Sequence, residues 1–128
     1  MGDYAASGGV YISTPADYIF AHPTTITGSI GVAIAFLTTE DSLEYIGISK
    51  DGVQTSKFAG WTPELPVTEE LDNIFNNLAE RSYQRFLEVV SESRKKDVSE
   101  INKIAGGRVW IGTDALQIDI IDELGDIE

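Results

Sequence analysis

Residues 2–32 read GDYAASGGVYISTPADYIFAHPTTITGSIGV, and the order of elements in this stretch decides the fold. Gly2-Asp3-Tyr4 reads as the tail of an element. Ser7 to Ser13 reads as a short helix with two glycines, Gly8 and Gly9, in its first turn. Each glycine there costs about 1 kcal/mol against alanine, so close approach of another backbone or of a ligand is the expected reason for it. Pro15 interrupts the helix, and Tyr18 to Ala21 reads as a strand. His22 to Thr25 is a turn. Ile26 to Val32, β-branched and broken by glycine, reads as an irregular extended stretch, and Ala33 to Leu37 continues it as a buried strand.

Working outward, Thr39 is placed to cap a helix from Glu40 to Ile46 that stops at Gly47, and Gly52 to Ser56 reads as a short strand. Phe58 to Pro66 is a loop. Thr68 starts a long helix with Glu69 and Glu70 in its first turn, and Leu71, Ile74, Phe75, Leu78, Phe86, Leu87 and Val90 form one apolar stripe down to Arg94. A further helix is expected from Asp97 or Val98 to Ala105, with Asp97 and Glu100 as a capping box and Gly106-Gly107 as its end. Arg108 to Ile111 reads as a strand, Thr113 as the cap of a short helical turn, and Ile118 to Ile121 as a final strand. Helices and strands alternate without repeats, which predicts an α/β fold.

The 128 residues are enough for one domain, residues 1–128, with a modest core. A net charge of −12 argues against nucleic acid and against docking on anionic lipid through a basic face. The one basic cluster, Arg94-Lys95-Lys96, falls at a helix end, where cations complement the dipole. There is no cysteine, so disulfides and thiolate metal sites are excluded. No apolar run reaches the length of about 18 residues that a membrane span needs, and no signal peptide is visible. DIIDELGDIE, residues 119–128, lacks the spacing of a calcium loop and reads as a solvated face, and no metal or cofactor site emerges.

A nucleophilic serine needs a base for its proton and N–H groups for the oxyanion. Ser7-Gly8-Gly9 at a helix start offers the second, because first-turn N–H groups have no intrahelical partner. Ser7 is therefore either a nucleophile or a small residue at a tight packing point. For the base, His22 is the only histidine and precedes a proline in a surface loop. The other route is a lysine kept neutral by burial. Lys50 reads as a solvated turn residue, Lys57 as the end of a short strand, and Lys95, Lys96 and Lys103 as part of the helical region.

Residues 2–32 closely resemble the signal peptide peptidase A (protease IV) family of Ser-Lys peptidases. The likeness continues through TTEDSLEYIGISKDGVQTS (38–56), ERSYQRFLEVV (80–90) and GRVWIGTDALQIDIIDELGD (107–126). It covers nearly the whole chain, and ASGG (6–9) with TGSIG (27–31) carries it most specifically. The resemblance implies stacked ββα units of the Clp protease and crotonase type, incomplete at the N-terminus. It implies that Ser7 is the nucleophile, that Gly8 supplies an oxyanion N–H, and that Ser29 hydrogen-bonds the catalytic lysine.

The lysine departs from the family pattern. In single-repeat members it follows the serine within the same half. Here TSKFAGWTPELP (55–66) puts Lys57 about two residues early for that place. In two-repeat members the C-terminal half carries the serine and the N-terminal half the lysine. This chain resembles that C-terminal half, so the base is expected from outside it, with Lys57 as the alternative. The family further implies signal peptides and other apolar peptides as substrates, a missing N-terminal half as partner, homo-oligomers, the periplasmic side of a bacterial inner membrane, and no cofactor. On its own the chain is then expected to have little or no peptidase activity. A non-catalytic assembly domain, a crotonase-like thioester enzyme and a phage capsid-processing peptidase are the alternatives.

Overall fold

The computed structural model describes residues 1–126, so Ile127 and Glu128 of the expected acidic face lie outside the described residues. The elements run β1 (Tyr4–Ala6), α1 (Gly8–Ser13), β2 (Phe20–Ala21), β3 (Ile26–Gly28), α2 (Glu40–Tyr45), α3 (Glu69–Arg94), α4 (Val98–Ile104), β4 (Val109–Ile111), α5 (Gly112–Gln117) and β5 (Glu123–Leu124). This is a mixed α/β chain with small sheets, in two compact units: Met1–Val32 with Glu80–Glu128, and Ala33–Ala79.

The first unit holds a three-stranded sheet in the order β1-β3-β4. Strands β1 and β3 are parallel, pairing Tyr4 with Ile26, Ala5 with Thr27 and Ala6 with Gly28. Strand β4 lies antiparallel to β3, pairing Ile26 with Ile111, Thr27 with Trp110 and Gly28 with Val109. A parallel pair needs a crossover, and α1 with β2 supplies it. Strands β2 and β5 form a separate two-stranded parallel sheet. Thr27 is fully buried, and its hydroxyl donates to the Ala5 carbonyl at 2.8 Å. A buried hydroxyl left unpaired would be costly.

Helix α3 follows its apolar periodicity. Its Phe86, Leu87 and Val90 enter the core with Val10, Ile19, Ala21, Ile30, Ile101, Ala105, Ala115, Ile120 and Ile121. Tyr11 of α1 meets the Phe86 ring edge-on, at 5.2 Å between centroids. The end of α3 is tied down by charge. Arg94 donates to both Asp122 carboxylate oxygens at 2.6 and 3.0 Å, and to the Asp119 carbonyl at 2.7 Å. The Arg94 hydrogen bonds, helped by one from the Ile19 N–H, hold the Asp122 carboxyl below the usual carboxylate range. Arg94 is thus a specific anchor as well as a charge at the helix end.

In the second unit Phe36, Trp61 and Phe75 form an aromatic trio, with centroids 4.3 to 6.0 Å apart. Lys50 donates to the Thr62 hydroxyl and to Glu64. Hydrogen bonds from Thr62, then from Lys50, pull the Glu64 carboxyl down to about 2.

Helices were the better expected elements. Thr68 opens α3 as expected, its hydroxyl accepting the Leu71 N–H at 3.3 Å. Helix α1 begins at Gly8, with Ser7 as its N-cap. Thr39 and Asp97 sit at the N-caps of α2 and α4 but make no side-chain capping bond. In both places the backbone carbonyl takes the helical N–H instead, and no capping box forms. Helix α5 starts one residue before Thr113, so Thr113 lies inside it.

Strands differ more. The expected strand over 18–21 is reduced to Phe20–Ala21, and the extended stretch over 26–32 is regular only to Gly28. Residues 33–37 and 52–56 form no strand, and Leu37 (81% exposed) and Val53 stand in solvent. Apolar, β-branched composition makes a strand only where a neighbour takes its N–H and C=O groups, and neither segment has a ladder partner among the described residues. Residues 118–121 form a turn: Asp119 takes φ 59°, and the Ile118 and Ile120 N–H groups bond back into the end of α5. Ile120 and Ile121 are buried all the same, so their apolar character reflected the core and not a strand.

Candidate active site

Because β1 and β3 are parallel and Ala6 pairs with Gly28, both strands end at the same edge of the sheet. Ser7 follows the last residue of one and Ser29 the last residue of the other. Adjacent strands lie about 4.8 Å apart, so two serines 22 positions apart in the chain become neighbours at the carboxyl edge.

Both serines have positive φ, 52° at Ser7 and 50° at Ser29. Ser7 combines this with ψ −110°, outside the left-handed helical region. Such a conformation costs of order 1–3 kcal/mol and persists where the surroundings enforce it. The enforcing contacts are visible. The Ser7 N–H donates to the Gly28 carbonyl at 2.8 Å, and the Ser7 carbonyl accepts the Tyr11 N–H at 3.0 Å. The Ser29 N–H donates to the Arg108 carbonyl at 2.6 Å. The Ser7 hydroxyl makes no capping bond to its own helix.

Gly28 is required by geometry. Its φ is 79°, and a Cβ there would stand 2.6 Å from Trp110 Cδ1 and 2.9 Å from the Arg108 carbonyl oxygen. Gly8 is different, because a Cβ built on it meets nothing within 4 Å. Packing inside this chain therefore gives no reason for glycine at position 8.

The candidate bases lie as follows. His22 sits after β2 at the surface, its Nε2 3.0 Å from the Asp126 carboxylate. Lys57 belongs to the second unit, where its ammonium pairs with Glu70; its side chain is 67% exposed. A lysine acting as a neutral base needs burial, and Lys57 is mostly exposed. Lys50 pairs with Glu64, and Lys96 with Asp119 at 2.5 Å. Among the described residues, no group of three or more His, Cys, Asp or Glu is arranged to hold a metal ion. Among them too, no helix is long and apolar enough to cross a membrane.

Sequence reasoning without the family resemblance had no means of pairing Ser7 with Ser29, since the pairing is made by strand register. It also passed over Gly28 and the carbonyl of Arg108, which hold the two serines. The positive φ values at the two ends of the strands are the structural signal that marks them.

The profile of Peptidase family S49 matches residues 1–128. Protease 4 of Haemophilus influenzae is 44% identical over 125 residues, covering 98% of this chain and 20% of that protein. Protease 4 of Salmonella typhi is 44% identical over 128 residues, covering 100% of this chain and 21% of that protein. The chloroplastic serine protease SPPA of Arabidopsis thaliana is 38% identical over 127 residues, covering 98% of this chain and 19% of that protein. The chain thus spans about a fifth of the length of these relatives.

Proposed function

The chain belongs to peptidase family S49, and from that premise we propose that it carries the nucleophilic half of a Ser-Lys endopeptidase site. The observation that carries this reading is the register of β1 on β3, which sets Ser7 beside Ser29 at the carboxyl ends of the two strands. The serine class is further supported by the name of the Arabidopsis relative.

Ser7 Oγ attacks the carbonyl carbon of the scissile peptide bond and gives its proton to a neutral lysine. The carbonyl oxygen becomes an oxyanion, stabilised by the Gly8 N–H. The lysine, now an ammonium, passes the proton to the departing amine as the C–N bond breaks, leaving an acyl group on Ser7. Water, deprotonated by the same lysine, then releases the acyl group and regenerates Ser7. Ser29 hydrogen-bonds the lysine and aims it at Ser7.

The exposure of Lys57 and its pairing with Glu70 support a lysine supplied from outside this chain. By itself the chain then has little or no activity. In the natural-length protein the substrates are signal peptides and other apolar peptides, and the site of action is the periplasmic side of a bacterial inner membrane. The fold is read as a stack of ββα units of the Clp type, and the protein as a homo-oligomer. Ile74 and Leu78, 43% and 55% exposed on α3, supply apolar surface for such association.

Gly8→Ala in the natural-length protein tests the reading. A methyl group there meets no atom of this chain, so stability is expected to hold or rise by up to about 1 kcal/mol. Peptide hydrolysis is expected to fall by about a hundredfold, since the methyl crowds the incoming carbonyl at its N–H donor. Full activity in Gly8→Ala, measured beside an unchanged melting curve, would remove Gly8 from the site.

A further inference from the structure

We infer that Tyr83 is a positioning residue for this site, latching the turn that holds Ser29. The inference rests on the reading of Ser29 as the residue that orients the lysine.

Ser29 to Gly31 have no regular secondary structure, so their placement depends on contacts from elsewhere. Those contacts come from one turn. The Ser29 N–H donates to the Arg108 carbonyl at 2.6 Å, and the Gly107 N–H donates to the Ile30 carbonyl at 3.0 Å. Gly31 lies flush against the same turn, where a Cβ would come within 2.9 Å of the Gly107 nitrogen. Residues 107 and 108 therefore grip the Ser29 bend through both its N–H and the carbonyl that follows.

The gripping turn is itself made of two glycines with positive φ, Gly106 at 69° and Gly107 at 76°. Glycines reach such angles freely, and they leave them as freely. Contacts from outside the turn must fix it, and the Tyr83 hydroxyl supplies the one to Gly106. It accepts the Gly106 N–H at 3.1 Å and donates to the Asn102 side-chain carbonyl at 2.7 Å. With a donor and an acceptor both engaged, the hydroxyl has one orientation. Its ring packs against the core, on the stretch of α3 anchored by Phe86, Leu87 and Val90. The chain of contacts thus runs from the core, through Tyr83, to the turn and to Ser29.

The test is steady-state hydrolysis of an apolar chromogenic peptide by the natural-length protein, comparing wild type, Ser7→Ala, Ser29→Ala, Tyr83→Phe, Asn102→Ala and the Ser29→Ala/Tyr83→Phe double variant. Tyr83→Phe keeps the ring and removes only the hydroxyl. It is expected to lower kcat about tenfold with KM unchanged, the pattern of a misaligned reacting group. Asn102→Ala is expected to lower kcat less, because Tyr83 can still accept the Gly106 N–H. In the double variant Tyr83→Phe should cause no further loss, since its effect is transmitted through Ser29. Wild-type kcat in Tyr83→Phe, with Ser29→Ala impaired, would overturn the latch alone, as would fully additive losses in the double variant. Wild-type activity in both Ser7→Ala and Ser29→Ala would overturn the site itself and the latch with it.

Discussion

Ser7→Ala in the natural-length protein is expected to lower kcat for peptide hydrolysis by about 10,000-fold or more while leaving the fold intact. The size of the effect follows from the role of the atom removed. Without Oγ no acyl intermediate forms, and the lysine and the oxyanion donor have nothing to act on together. The fold is spared because the contacts at Ser7 are made by its backbone. Its N–H reaches the Gly28 carbonyl and its carbonyl takes the Tyr11 N–H, and alanine keeps both. The positive φ strains alanine no more than serine. Hydrolysis rates with a circular dichroism melt on the same samples check both halves of the expectation.

The second large effect falls on stability. Gly112 opens α5 and is buried, and a Cβ built on it would stand 1.9 Å from the His22 carbonyl oxygen and 3.3 Å from the Pro23 carbonyl carbon. Those are backbone atoms, so no rotamer change relieves the clash. Moving them breaks the bond from the Thr25 N–H to the His22 carbonyl and that from the Thr113 N–H to the Pro23 carbonyl. Gly112→Ala is expected to destabilise by about 3 kcal/mol or more. With a urea slope of roughly 2 kcal/mol per molar, the unfolding midpoint then drops by about 1–2 M. The contrast with Gly8→Ala is informative, because the same substitution meets empty space there.

How much of this was legible in the sequence depends on range. Helices α1, α3 and α4 were readable because their signals are local: spacing of apolar residues, a threonine at an N-cap, paired glycines at an end. The segment over 33–37 misled because strand composition records burial and branching, whereas a strand also needs a partner that composition does not name. Ile120 and Ile121 misled for a related reason, since they are buried from within a turn. Ser7-Gly8-Gly9 at a helix start left Ser7 either a nucleophile or a packing residue, and only family likeness favoured the first and added Ser29 to the candidate site. What joins the two serines is the Ala6–Gly28 register, a contact across 22 positions. The link from Tyr83 through Gly106 to Ser29 leaves still less trace, since it passes through a hydroxyl and two backbone bonds. Only the Gly106-Gly107 pair hinted that the chain turns sharply there.

If Ser7 is the nucleophile, it forms the covalent intermediate. The most direct measurement is to treat the natural-length protein with an apolar peptidyl phosphonate and to locate the adduct by peptide mapping and mass spectrometry. A single adduct on Ser7 is expected, formed as hydrolysis is lost and absent from Ser7→Ala. Inactivation with the adduct on another residue and Ser7 unmodified would contradict it.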